Sequence, residues 1–135
     1  MTLVKNAMSR PVVTVAPSTT IFKAASLMRE SRIGCLIVVD QHEKPQGIVT
    51  ETDIIHKIVA EKKPLKTQVK EIMTRELKTI KEDETIEQAG KVMTAHLIRR
   101  LPVLKDKKLV GIITLKDVVK AKKVDGESEY YPYYT

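Results

Sequence analysis

Apolar residues at Ile21, Ala24, Ala25 and Met28 fall at the i, i+3, i+4, i+7 spacing that places them on one buried helix face. Upstream, the apolar run from Val12 to Val15 reads as a short strand that stops at the turn Ala16-Pro17-Ser18. Downstream, Leu36 to Val39 and Gly47 to Thr50 read as two strands, and the polar stretch Asp40 to Gln46 joins them as a hairpin. A second helix opens near Glu51 and carries Ile54, Ile55, Ile58 and Val59. Lys62-Lys63-Pro64 ends it, since proline removes a helical donor and clashes with the preceding turn.

The same β-α-β-β-α pattern then returns. Val4-Lys5-Asn6-Ala7-Met8-Ser9-Arg10 becomes Val69-Lys70-Glu71-Ile72-Met73-Thr74-Arg75, a shift of 65 positions. That shift also carries Thr14 to Thr79, Thr20-Ile21 to Thr85-Ile86, Ala24 to Ala89, Met28 to Met93, Ile33 to Ile98 and Leu36 to Leu101. One residue is lost in the next turn. At a shift of 64, Gly47-Ile48-Val49-Thr50-Glu51-Thr52-Asp53 becomes Gly111-Ile112-Ile113-Thr114-Leu115-Lys116-Asp117. The agreement reaches polar positions that core packing alone does not fix, so the chain reads as a duplication. The expected organisation is repeat 1 over residues 1–66, repeat 2 over 67–124, and a tail over 125–135 without counterpart in repeat 1.

Two helices on one face of a three-stranded sheet cover that face only. A fragment of about 60 residues buries only roughly 60% of its extended surface and is marginal alone. The expected fold class is therefore α/β, with the two repeats packed under pseudo-two-fold symmetry.

Thr50-x-x-Asp53 and Thr114-x-x-Asp117 each sit at a strand-to-helix junction and match a capping box, in which hydroxyl and carboxylate satisfy each other's backbone amide. A helix start also directs free N–H groups at what lies before it, which suits a phosphate. An aspartate there can accept two hydrogen bonds, as a ribose diol requires.

Met-Ser/Thr-Arg openings, the strand Leu101-Pro102-Val103 and two Gly-Ile-x-Thr-x-x-Asp segments in register together resemble a tandem pair of CBS domains, over roughly residues 2–124. Repeat 1 departs from the pattern by carrying Ile37 where repeat 2 has Pro102. The resemblance implies a stand-alone regulatory module, not an enzyme, that binds an adenine nucleotide (AMP, ADP or ATP) as effector in clefts between the repeats, with no catalytic cofactor. It assigns ribose to Asp53 and Asp117, and phosphate to Thr50, Thr114 and Thr52. Adenine falls to Thr14, Val15, Ala16 and Ile33 in one copy, and to Thr79, Ile80 and Ile98 in the other, with Pro102 grouped beside them. Arg99, Arg100 and Lys116 have Gly34, Cys35 and Thr52 as counterparts, so only repeat 2 brings these cations. In the family such groups reach phosphates held mainly by the other repeat, which points them toward a ligand on Asp53; arginine suits the bidentate contact. The alternative is that they face solvent. S-adenosylmethionine or a nicotinamide dinucleotide shares the same adenosine and is the runner-up ligand. A homodimer and a separate regulated protein complete the expected partners.

The 135 residues are 42% hydrophobic and 30% charged, as in ordinary globular proteins. No apolar run approaches the ~20 residues of a membrane span, and the start has no secretory pattern. Cys35, the only cysteine, lies in an apolar run and reads as a small buried hydrophobe. It cannot form an internal disulfide, so the cytoplasm is the expected compartment. The net charge of +7 admits nucleic acid, but the lysines are scattered and the tightest group is Lys120, Lys122 and Lys123. There is no Trp, Phe22 is the only Phe, and all four Tyr lie beyond residue 129, so the body has no platform for stacking bases. A nucleic-acid-binding regulator therefore ranks last. His42, His56 and His96 are isolated, and neither a nucleophile triad nor a phosphate loop is present. The four tyrosines of the tail suit an interface.

Overall fold

A computed structural model describes residues 1–10 and 12–124 of the chain. The Tyr-rich tail over 125–135, and the interface expected of it, lies outside the described residues.

The chain forms two compact units that are cut differently from the sequence copies. One, here the contiguous unit, is Val13–Leu77; the other, the split unit, joins Met1–Val12 to the chain from Lys78 onward. Each opening segment thus belongs with the body of the other sequence copy.

In the contiguous unit, β1 (Thr14–Val15), α2 (Ile21–Ser31), β2 (Cys35–Val39), β3 (Pro45–Thr50) and α3 (Glu51–Ile54) follow in order. The opening helix of the chain, α1 (Val4–Ala7), belongs to the split unit. β2 is central in the sheet β1-β2-β3, parallel to β1 and antiparallel to β3. The run Leu36-Ile37-Val38 is buried without a break, so β2 is covered on both faces. Thr20 caps α2 by accepting from the Lys23 amide at 3.2 Å. Ile21, Ala24 and Met28 are buried as the spacing predicts, whereas Ala25 is exposed.

After one α-helical turn, α3 continues as a π-helical turn over Ile55–Val59, with Ala60 N–H donating to Ile55 five residues back. That winding changes the facing expected from a 3.6-residue period. Ile58 is buried and Ile54 partly so, whereas Ile55 and Val59 are exposed. The segment after the helix forms a single 3-10 turn at Val69–Glu71 and lays Val69, Ile72 and Met73 into the core with Ile21, Leu36 and Val49.

The split unit repeats the plan with β4 (Ile80–Lys81), α4 (Ile86–His96), β5 (Arg100–Lys105), β6 (Lys108–Thr114) and α5 (Leu115–Val124). β4 is parallel to β5, and β5 is antiparallel to β6. α1 supplies Val4, fully buried among Ile86, Leu101 and Ile113. The β5–β6 turn is Asp106-Lys107, both at positive φ (49° and 66°), the geometry of a tight two-residue hairpin. The matching β2–β3 turn is longer and is held by Asp40, whose Oδ1 accepts from the amides of His42 (2.8 Å) and Lys44 (2.9 Å).

Pro102 marks another difference. Ile37 N–H donates to the Val13 carbonyl at 3.3 Å, a bond that Pro102 at the same place in β5 cannot make. Cys35 is partly buried on β2, less enclosed than expected.

Lys122 is one of two buried polar or charged residues among those described. Its Nζ lies 2.9 Å from Glu87 Oε1, joining α5 to α4. Among the described residues, Glu87 Oε2 is buried without a hydrogen-bond partner. In the contiguous unit the same two places are Ile58 and Phe22, an apolar pair. The Lys122 hydrogen bond holds the Glu87 carboxyl below its ordinary value, 4.5. A lowered folded-state pKa contributes stability above the unfolded value and loses it as pH falls through the folded one. Urea midpoints of the native protein and Glu87→Gln, measured from pH 7 to pH 3, are therefore expected to converge on acidification. Parallel curves would show that the ion pair contributes nothing specific to the ionised state.

Candidate functional site

Thr50 has extended backbone (φ −118°, ψ 166°) and caps α3. Its Oγ1 accepts from the Asp53 amide at 3.2 Å, while Asp53 Oδ2 accepts from the Thr50 amide at 2.9 Å and from the Thr50 hydroxyl at 3.1 Å. Thr114 and Asp117 repeat the two amide bonds at α5, at 3.2 Å for the Asp117 amide and 2.9 Å for the Thr114 amide. The capping boxes read from sequence are both present.

In each box Oδ2 accepts from the amide of the capping threonine, which fixes the carboxylate and turns Oδ1 outward from the cap. Here the two units part. Asp53 Oδ1 lies 3.2 Å from Lys57 Nζ, one turn further along the helix. Lys57 also donates to the Ile72 carbonyl at 2.9 Å, so the ammonium is tied at two points. At a shift of 64 the counterpart of Lys57 is Ala121, which brings no charge. Asp117 has no ion pair among the described residues, and it lines a cavity of about 270 Å³ with Thr2, Asn6, Ala7, Lys120 and Ala121.

Of the adenine-slot residues expected from sequence, Val15 and Ile33 pack into one core cluster, and Thr79 and Ile80 line one cavity. Ile33 lines a cavity of about 480 Å³ between α2 and α3, shared with Met28, Arg32 and Ile54 but not with Asp53. Thr14 and Val15 form β1, whose buried member is Val15, and Ala16 is exposed just beyond it. Thr79 and Ile80 line a cavity of about 730 Å³ with Glu82, Gln88 and Lys105, separate from the one at Asp117. Ile98 is partly buried before β5, and Pro102 is buried within it. Arg99, Lys116 and Thr52 are exposed, and Arg100 is partly buried at the start of β5.

Lys57 was not among the residues expected at the site, although an acid and a base four residues apart on a helix were visible as Asp53 and Lys57. The lysine group near the end of α5 is not one surface, because Lys122 is buried against Glu87 while Lys120 and Lys123 are exposed. No helix among the described residues is long and apolar enough to cross a membrane.

The family model "CBS domain" matches twice, at residues 4–60 and 69–123. The CBS domain-containing protein YhcV of Bacillus subtilis is 38% identical over 118 residues, covering 87% of this chain and 84% of that protein. An uncharacterized protein of Methanopyrus kandleri, MK0525, is 36% identical over 115 residues; the match covers 84% of this chain but only 59% of that relative. Among solved structures, the CBS domain pair of protein MJ0100, in complex with 5′-methylthioadenosine and S-adenosyl-L-methionine, has a TM-score of 0.83. It is 34% identical, with 92% of this chain and 98% of that one covered. Two family matches that together span most of the chain, on two units of one topology, place it in the CBS-domain family as a tandem pair, a regulatory module.

Proposed function

We propose that the chain senses an adenosyl ligand, an adenine nucleotide (AMP, ADP or ATP) foremost, and passes its occupancy to a separate regulated protein without catalysing a reaction. The observation that carries this reading is Asp117: its carboxylate is oriented by the Thr114 amide, has no ion pair among the described residues, and borders a cavity. A fixed carboxylate with an open oxygen is what a ribose diol needs. The complex of the MJ0100 pair with 5′-methylthioadenosine and S-adenosyl-L-methionine supports the adenosyl part of the reading.

In this reading a Thr-x-x-Asp carboxylate takes the ribose, and Thr50, Thr52 and Thr114 serve phosphate. The adenine packs against Val15, Ile33, Ile80, Ile98 or Pro102, beside Thr14, Ala16 and Thr79. Arg99, Arg100 and Lys116 add charge for a second or third phosphate. Such a sensor works in the cytoplasm as a homodimer. Supporting an assembly, Phe22, Ile55, Val59 and Leu65 of the contiguous unit are each more than half exposed.

Calorimetry on ligand-free protein with AMP, ATP, S-adenosylmethionine and NAD tests the reading and ranks the ligands. Heat is expected from at least one of them. Silence from all four would leave the two boxes as helix caps alone. Tight duplex or single-strand binding at physiological salt would instead favour a nucleic-acid regulator.

A further inference from the structure

We infer that Lys57 closes one of the two duplicated carboxylates, so that each chain takes a single adenosyl ligand, at Asp117. The inference rests on the adenosyl reading above and adds to it the number and place of the sites.

The two helix starts begin as equals. In both, Oδ2 of the aspartate is engaged by the amide of the capping threonine, at 2.9 Å in each case. At Asp117 both oxygens keep an open lone pair, whereas at Asp53 the Thr50 hydroxyl also holds Oδ2, at 3.1 Å, which leaves a diol Oδ1. At Asp53 that oxygen already faces the Lys57 ammonium at 3.2 Å. An exposed lysine on an isolated carboxylate is a weak competitor, since such pairs contribute little and exchange freely with water. Lys57 differs in being anchored from behind by the Ile72 carbonyl at 2.9 Å, and Asp53 itself is only 14% exposed. An incoming ribose therefore has to compete for Oδ1 with an ammonium that the Ile72 carbonyl keeps in place.

The duplication supplies the control. The positions that correspond to Lys57 and Ile72 are Ala121 and Ala7. Both line the cavity of about 270 Å³ at Asp117. Where the contiguous unit holds a lysine stem, the split unit holds space. That space is bordered by Asn6 and Thr2, which carry hydrogen-bonding side chains, and by Lys120, whose counterpart is His56. Lys120 gives a nucleotide phosphate a cation at a position where the other unit has His56.

Exchanging the two residues between units tests this with AMP and 5′-methylthioadenosine as probes, by calorimetry on the full chain. The native protein is expected to bind one molecule per chain. Lys57→Ala is expected to raise the number toward two, and it is safe for folding because the lysine side chain is 43% exposed. Ala121→Lys is expected to weaken the native site at least tenfold by carrying the closing ammonium to Asp117. Ala121 is nearly buried, so Asp117→Asn serves as the second variant, with the same loss expected and thermal melting confirming the fold. Two molecules per native chain, or one per chain of Lys57→Ala, would overturn the closure by Lys57 while leaving adenosyl binding intact. Undiminished binding by Asp117→Asn would overturn the placement of the site. No heat from any variant with either probe would overturn the adenosyl reading and this inference together.

Discussion

Deleting residues 1–10 is expected to unfold the split unit, a far larger effect than trimming a chain end usually has. Val4 is fully buried in that unit's core, and its amide donates to the Glu84 carbonyl at 2.8 Å. Lys5 N–H bonds Glu82, and Ile86 N–H bonds Thr2, which fastens the start of α4 to the segment. Ser9 and Ile112 exchange both backbone bonds, at 2.9 and 3.2 Å, so the segment covers part of β6. Burial of one valine stabilises by about 2 kcal/mol and each of these five hydrogen bonds by about 1 kcal/mol. Their joint loss is comparable with the whole stability of a small domain, about 5–15 kcal/mol. Amide hydrogen exchange on the truncated protein should show β5 and β6 losing protection first, with β2 and β3 affected less. Equal protection in both sheets would mean that the segment merely rests on the surface.

The second large effect is expected at the glycines of the twin motifs. A Cβ on Gly47 would stand 2.7 Å from Met73 Sδ and 2.8 Å from the Thr74 carbonyl oxygen. On Gly111 it would stand 2.5 Å from Met8 Sδ and 3.1 Å from the Ser9 carbonyl oxygen. These are the places where the Met-Ser/Thr-Arg segments cross the sheets, and they explain why glycine and methionine recur together. A thioether can move aside, but a backbone oxygen held in a β-bridge cannot. Gly47→Ala is therefore expected to cost more than Gly111→Ala, with overpacking of this kind costing about 1–3 kcal/mol or more. Combining Gly111→Ala with Met8→Ala should recover part of the loss from the glycine substitution, whereas Met73→Ala should do less for Gly47→Ala. Urea denaturation of the two double-mutant cycles measures both couplings. Equal coupling would place the conflict at the sulfur atoms alone.

The duplication, the order of strands and helices and both capping boxes were legible because they depend on local periodicity and short spacings. The exchange of opening segments was not. Val4 and Val69 sit in near-identical stretches, and either stretch satisfies either core as far as pattern goes. What decides is the path of the chain, which periodicity does not encode. The outward turn of Ile55 and Val59 was hidden for a related reason: a 3.6-residue template puts them inside, and the π-helical turn changes the winding. At the site, Asp53 and Asp117 were indistinguishable by motif. Lys57 was visible as a helical neighbour of Asp53, but its hold depends on Ile72, which is distant in sequence and comes near only after folding. The adenine-slot residues were placed by resemblance, and Ile33 in one unit and Thr79 with Ile80 in the other each line a cavity.

The division of the chain also sets an order of assembly during synthesis. Everything the contiguous unit needs lies between Val13 and Leu77, so its sheet can close as soon as that stretch has left the ribosome. The opening segment emerges earlier still, yet Ser9 finds its partner only when Ile112 appears, more than a hundred residues later. In the interval Val4, Ala7 and Met8 are unburied on a tethered chain. Contacts so far apart in sequence form slowly, because the loop must close before any of them forms. A nascent chain whose first 77 residues have just emerged thus carries one paired sheet and one exposed apolar hook, the form of this protein most open to a chaperone or to a premature neighbour.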